Sequence, residues 1–493
     1  MHIEQIYTGC LAHGAYFISS NGEAAVVDPL RETEPYLQRA KDLGVKIKYV
    51  LETHFHADFV SGHLALAEAA GAEVVFGPTA KAEFDLRVAE DGEMLPLGDI
   101  NIKVLHTPGH TMESSCFLVV DENGKDHSLF SGDTLFLGDV GRPDLAQKAA
   151  NMTQEELAGT LYDSLRDKIM TLDPKVIVYP GHGAGSACGK NMSKETVGTI
   201  GYELKNNYAL RKNMTKDEFI KEVLAGLTTP PQYFGMNVGM NKSVIRSFDD
   251  IVKDAETSLA PEAFKALAQQ LDAVILDVRE ADDWAEAHIP GSINIGLEGQ
   301  FAPWVGAMIP TDSNLLLVTP KGVENETIMR LSRIGYDNVH GYLEGGIAAW
   351  NQAKLDTDSQ KRVNADEFVM AAKAGARVLD VRRIGEFRSQ RVHGASHIPL
   401  DDLNARFGEV PEGTEDQPIY IHCAGGYRSS VFASILKARG LHHTVDVRGG
   451  FSDIANVKGA PVTDYICPST IDDDGNPIPQ KSGFRSWLSK VFG

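Results

Sequence analysis

The sequence predicts an α/β protein of three domains, and three observations carry that prediction. The chain has 493 residues, which at roughly 100–200 residues per domain is about three domains. Over residues 1–245, short apolar runs bounded by Gly, Pro or Asp alternate with helix-forming stretches, the pattern of buried strands in a layered α/β domain. Beyond residue 262 one α/β pattern is written twice.

In the first part, Val26-Val27, Tyr49–Leu51, Val74–Phe76, Cys116–Val120 and Val176–Tyr179 read as strands. Leu64–Ala70 reads as a helix stopped by Gly71. Residues 246–262 are polar and unpatterned and read as a linker. Then Leu276-Asp277-Val278-Arg279 recurs as Leu379-Asp380-Val381-Arg382, an offset of 103. Gly291-Ser292 answers to Gly394-Ala395, and Glu344-Gly345-Gly346 to Arg448-Gly449-Gly450. The expected domains are 1–245, 263–356 and 360–466, followed by an irregular tail over 467–493.

Lys and Arg number 47 against 68 Asp and Glu, a net charge of −21. That balance gives no positive footprint for nucleic acid or an anionic membrane. No apolar run approaches the roughly 18 residues of a membrane span, and the first residues lack a basic region followed by an apolar stretch. Five cysteines, 10, 116, 188, 423 and 467, are too sparse for a disulfide framework. The expectation is a cytoplasmic protein in a reducing compartment.

Two constellations carry chemistry. In the first, His54, His56 and Asp58 follow the strand ending at Leu51; His110 follows Pro108-Gly109, Asp133 follows Gly132, and His182 follows Pro180-Gly181. Each stands just after an apolar run, where loops at one sheet edge converge. Imidazoles and carboxylates together suit Zn or Fe. In the second, Cys423-Ala424-Gly425-Gly426-Tyr427-Arg428 follows a strand and opens a helix over 431–438. Backbone N–H groups and the positive end of the helix dipole favour anionic sulfur in such a loop. Four residues separate Cys423 from Arg428, one fewer than in tyrosine-phosphatase loops. The tighter ring fits the outer sulfur of a cysteine persulfide.

The series H-x-H-x-D, P-G-H, G-D and P-G-H resembles the metallo-β-lactamase superfamily over residues 1–245, which implies an αββα sandwich with the metal at one sheet edge. Glyoxalase II members carry a histidine directly after the motif's Asp; this chain has Phe59, which cannot ligate a metal. That departure resembles the persulfide dioxygenase branch. The resemblance implies one Fe(II) per chain on His54, His110 and Asp133, with three positions open to a thiol persulfide and O₂. It implies supporting roles for His56, Asp58 and His182, and pocket roles for Arg142, Asp144 and Tyr162. Cys188, six residues after His182 on a Gly-rich loop, could stand near the metal mouth.

The cysteine loop with its flanking motifs resembles the rhodanese family over about residues 360–460, making Cys423 the sulfur carrier and Arg428 an anchor for the loop or the incoming anion. The first copy resembles the same fold but has Thr319-Pro320-Lys321-Gly322 where the loop would be, so it reads as a non-catalytic module. The whole chain resembles persulfide dioxygenase–rhodanese fusions. Persulfide and O₂ would give sulfite, and sulfite would take a second sulfur from Cys423 to give thiosulfate. Local arginines must attract the sulfite, since the net charge does not. The alternative is a glyoxalase II-like thioester hydrolase fused to a sulfur-carrier rhodanese. Small-molecule partners are expected, with no nucleic acid or membrane, and self-association is open.

Overall fold

A computed structural model describes residues 1–227 and 229–467, so the tail expected after Cys467 falls outside the described residues. The chain forms two compact units. One comprises Met1–Thr257, Gly299–Asn314 and Gly322–Gly341; the other comprises Ser258–Glu298, Leu315–Lys321 and, of the described residues, 342–467.

The first unit holds two six-stranded sheets. One runs in the order His2–Thr8, His13–Ser20, Glu23–Val27, Lys46–Glu52, Glu73–Phe76, Arg87–Val88. The other runs Gly198–Thr199, Ile177–Pro180, Asp126–Gly132, Ser115–Val120, Ile100–His106, Met94–Leu97. Ile18, Val27, Leu51, Val75, Ile102, Val104, Phe117 and Phe130 meet in one core between the sheets. Their neighbours Phe17, Val26, Val50 and Val74 face the opposite way, into a second core with Tyr36, Ala40 and Leu66 of the helices Glu34–Leu43 and His63–Ala70. A third core packs Leu118, Leu129 and Val178 against Leu161 and Phe219 from the helices Gln154–Ser164 and Lys216–Leu224. Successive side chains point to opposite faces, and both faces are covered, which is why the strands read as unbroken apolar runs. The result is the expected helix–sheet–sheet–helix sandwich. The helix His63–Ala70 stops at Gly71, whose φ of 63° lets its N–H bond back to Ala67 and Glu68.

The stretch expected to be a linker is partly helical. Phe248–Ala255 is a helix capped by Ser247, whose hydroxyl accepts the Asp250 N–H at 3.1 Å, with Ile251 and Ala255 buried. The charged residues around them hid an i, i+4 apolar pair. Two helices from the first repeat copy, Phe301–Met308 and Glu324–Arg333, pack within the first unit. There the Arg31 guanidinium, 2% exposed, donates to Ser332 O at 2.8 Å and to both Asp337 oxygens at 2.6 and 2.9 Å.

The repeat produces two five-stranded sheets of the same order. The first is Ser258–Leu259, Val339–Leu343, Leu315–Val318, Val274–Asp277, Ile293–Asn294. The second is Arg362–Val363, Thr444–Val447, Ile419–His422, Arg377–Asp380, Ser396–His397. The recurring Asp-Val-Arg closes the same loop in both. Buried Asp277 takes Arg279 at 2.6 Å, and buried Asp380 takes Arg382 at 2.6 Å. A carboxylate ending a buried strand needs such a partner.

Candidate functional site

The loops that leave the carboxyl ends of Lys46–Glu52, Ile100–His106, Asp126–Gly132 and Ile177–Pro180 converge, and they bring His54, His110, Asp133 and His182 together with all four side chains buried. The donor atoms of His54, His110 and Asp133 lie within 4.8 Å of one another. His54 Nε2 is 3.9 Å and His110 Nε2 3.5 Å from Asp133 Oδ2, while His182 Nε2 is 3.6 Å from Asp133 Oδ1.

Hydrogen bonds from behind fix which nitrogen of each ring is bare. His110 Nδ1 lies 2.8 Å from the Arg142 carbonyl and His182 Nδ1 3.3 Å from the Ala12 carbonyl. A carbonyl only accepts, so both Nδ1 atoms carry the proton. Thr53 Oγ1 donates to Asp28 Oδ2 at 2.8 Å, so at 3.0 Å it accepts from His54 Nδ1. Three Nε2 lone pairs therefore face one carboxylate. Neither Asp133 oxygen accepts a hydrogen bond. Burial drives His110 to about 4 and His182 to about 3, and takes His54 well below the ordinary range; all three rings are neutral at pH 7. Burial, with the charge of Asp58 added, raises Asp133 well above the usual carboxylate value. Lone pairs turned on a buried, unpartnered carboxylate repel unless a cation lies among them, so these residues fit a metal ion.

The other expected residues are placed as follows. His56 turns away: its Nε2 is 3.1 Å from both Asp28 Oδ1 and Glu52 Oε2. Burial opposes charge there, but the two carboxylates raise His56 well above the ordinary histidine value. Asp58, His182 and Cys188 form a second buried group with donor atoms within 4.8 Å. Burial, then Asp58 and Asp133, pushes the Cys188 thiol far up. Phe59 is wholly buried, its ring centroid 4.2 Å from that of His13 and 4.3 Å from that of His56. Arg142 is buried and clamps Asp144 through two contacts of 2.7 Å, while its backbone carbonyl serves His110. Tyr162 packs against Phe219 and donates to the Met214 carbonyl at 3.0 Å.

Several supporting residues were missed in the sequence. Asp28 and Glu52 end strands as the ligands do, and that position was the available signal. Asn241 gave none; its amide nitrogen donates to the His56 and Phe59 carbonyls at 2.8 Å each and braces the motif's loop from the helix Phe234–Asn241.

In the second unit Cys423 follows the strand Ile419–His422 and precedes the helix Tyr427–Ala438. Cys423 is 1% exposed, and its sulfur accepts the Gly426 N–H at 3.1 Å. Gly426 has a φ of 95°, the left-handed turn that swings this N–H inward. The Cys423 and Ala424 carbonyls point outward, to Phe451 N at 2.7 Å and Ser452 N at 3.0 Å. A Cβ on Gly450 would stand 2.5 Å from the Cys423 oxygen, which explains the Arg448-Gly449-Gly450 motif. Arg428 pairs with Glu386 through contacts of 2.7 and 2.8 Å.

Comparison with known proteins agrees with this geometry. The sequence profile of the Metallo-beta-lactamase superfamily matches residues 8–182, and that of the Rhodanese-like domain matches 260–353 and 364–456. Human persulfide dioxygenase ETHE1, mitochondrial, is 32% identical over 223 residues, 44% of this chain and 78% of that protein. Hydroxyacylglutathione hydrolase GloC of Haemophilus influenzae is 30% identical over 189 residues, 34% of this chain and 83% of that protein. A crystal structure of a metallo-beta-lactamase from Staphylococcus aureus subsp. aureus COL superposes with a TM-score of 0.62 at 29% identity, covering 70% of this chain and 98% of that one. The chain thus belongs to the metallo-beta-lactamase superfamily and carries two rhodanese-like domains after that fold.

Proposed function

We propose that this chain is a persulfide dioxygenase joined to a sulfurtransferase. Residues 1–245 would oxidise a low-molecular-weight thiol persulfide to sulfite, 263–356 would be a non-catalytic rhodanese module, and 360–466 would transfer sulfur through Cys423. The observation that carries the reading is the set of three bare Nε2 atoms turned on the unpartnered Asp133 carboxylate. His54, His110 and Asp133 would hold one Fe(II), and when bound it would supply the redox chemistry that turns persulfide sulfur and O₂ into sulfite. Phe59, stacked on His56 and tilted against His13, fills the place from which a second metal's histidine would come. The similarity to persulfide dioxygenase supports the same reading.

The protein's own groups have definite tasks. The Arg142 and Ala12 carbonyls and the Asp28–Thr53 pair hold the three rings in one tautomer, ready to bind without losing a proton. Phe59 against His56 and Phe136 edge-on to His182, both buried, give these rings apolar neighbours. At Cys423 the thiol takes the outer sulfur of a second persulfide; one S–S bond breaks, another forms, and the free thiol leaves. Sulfite then attacks that outer sulfur, thiosulfate departs and the Cys423 thiolate returns. The Gly426 N–H stabilises negative sulfur at both stages. Five free cysteines suit a reducing cytoplasm, and no helix among the described residues is long and apolar enough to cross a membrane.

A second reading, a thioester hydrolase fused to a sulfur carrier, is favoured by the GloC similarity and by the Asp58–His182–Cys188 group. Oxygen uptake on adding persulfide to iron-loaded protein decides between them. One iron per chain with rapid uptake supports the dioxygenase. Two zinc ions per chain, no uptake and thioester hydrolysis would refute it.

A further inference from the structure

Beside the cysteine loop, within the second unit, lies a cavity of about 410 Å³. One wall comes from the first rhodanese copy, with Asp282, Asn294 and Gly296; the other comes from the second copy, with Arg362, Arg448 and the loop residues Gly425–Tyr427. The walls are pinned together: Tyr427 donates its hydroxyl to the Gly296 carbonyl at 2.7 Å, and Ser430 bonds Asn294 Oδ1 at 3.1 Å. The loop faces the cavity with the glycine whose N–H holds the Cys423 sulfur. A Cβ on Gly426 would stand 3.7 Å from Arg362 Nη2.

Among the described residues, Arg362 and Arg448 are the only cations lining this cavity, and Glu280 and Glu298 line it together with Asp282. One carboxylate oxygen, Asp282 Oδ1, takes both, at 2.7 Å from Arg362 Nη1 and 2.7 Å from Arg448 Nε. The three groups differ in freedom. The Arg362 side chain is 6% exposed and held from behind by buried Asp446 at 2.7 Å, whereas Asp282 is 61% and Arg448 51% exposed. Arg362 is thus fixed, while Asp282 can swing into water at little cost. A carboxylate between two guanidiniums occupies the place that an oxyanion would take.

We propose that the cysteine-less copy supplies a replaceable internal anion, Asp282, to an oxyanion site formed by Arg362 and Arg448 beside the Cys423 loop. The incoming oxyanion is the sulfite acceptor or the carboxylate of the thiol carrier, and it binds by displacing Asp282. The inference rests on the sulfur-transfer reading of Cys423. It gives the first copy a specificity role despite its lack of a thiol. Because Asp282 competes for the same cations, it sets a threshold that weak anions do not pass.

The test uses the full iron-loaded chain. Sulfite is titrated calorimetrically into Cys423→Ser, into Cys423→Ser with Asp282→Asn, and into Cys423→Ser with Arg448→Gln. Separately, the 32 Da gain on Cys423 is followed by mass spectrometry against glutathione persulfide concentration, with and without Asp282→Asn. Removing the internal competitor should lower the dissociation constant of sulfite at least threefold, and Arg448→Gln should raise it. A lower half-saturating donor concentration in Asp282→Asn, with sulfite binding unchanged, would assign the site to the carrier's carboxylate instead. If Asp282→Asn leaves both unchanged or weakens both, Asp282 is only a structural tie and the inference fails. Absence of any 32 Da gain in the unmodified chain would refute the sulfur-transfer reading, and the sulfite titration would still judge the oxyanion site.

Discussion

Replacing Asp133 with Asn separates the cost of the metal site from its use. The carboxylate is buried, accepts no hydrogen bond and meets three imidazole lone pairs at 3.5–3.9 Å. An amide of the same shape removes the charge and can donate to the bare His110 Nε2. A buried polar group without a partner costs roughly 1–3 kcal/mol, and more if charged, so at alkaline pH, where Asp133 is ionised despite its raised pKa, metal-free Asp133→Asn should be about 2 kcal/mol more stable than the metal-free parent. For a unit of this size each kcal/mol moves the midpoint by about 2–4 °C, which gives a rise of about 4–8 °C. With iron the order should reverse, because the parent gains ligand-linked stability that the variant cannot. Scanning calorimetry with chelator and then with Fe(II) measures both, the N-terminal transition being followed separately. Persulfide-dependent oxygen uptake should be lost, while sulfur loading of Cys423 persists. A metal-free Asn variant that melts at or below the parent would refute the claim that this carboxylate is held at a cost for a cation.

Three further outcomes follow from the same geometry. Cys423→Ser keeps the loop's size but cannot form a persulfide, so sulfite should accumulate in place of thiosulfate at an unchanged rate of oxygen uptake; ion chromatography with nonenzymatic coupling subtracted reads this, and thiosulfate at the parent rate would rule out the Cys423 relay. Phe59→His puts an imidazole where the Phe59 ring now lies against His13 and His56, directly after Asp58 of the second buried group, so elemental analysis should move from one metal per chain toward two. Arg31→Ala leaves Asp337 and the Ser332 carbonyl without their partner. It should destabilise the first unit by about 3 kcal/mol in denaturant unfolding, near the lower end of the cost of breaking a buried ion pair, and a change under 1 kcal/mol would show that the pair is solvated.

The sequence alone determined which groups the two candidate sites contain. The candidate metal ligands and the candidate sulfur carrier stand just after strands, and strands are legible as short apolar runs; His54, His110, Asp133 and Cys423 all follow one. The repeat was legible too, because both copies close the same loop with Asp-Val-Arg. Polarity and partnership were not. The bare nitrogen on His110 is decided by the Arg142 carbonyl and that on His182 by the Ala12 carbonyl, 32 and 170 residues away. Arg428 finds Glu386 at a separation of 42, and Asp282 meets Arg448 at 166. The helix Phe248–Ala255 hid in charged text, since two apolar residues on one face suffice when a neighbour covers them. Local sequence sets which groups a site contains, because that depends on residue type and strand position. Tertiary structure decides protonation and pairing, because hydrogen bonds and ion pairs act over ångströms between residues the chain keeps far apart.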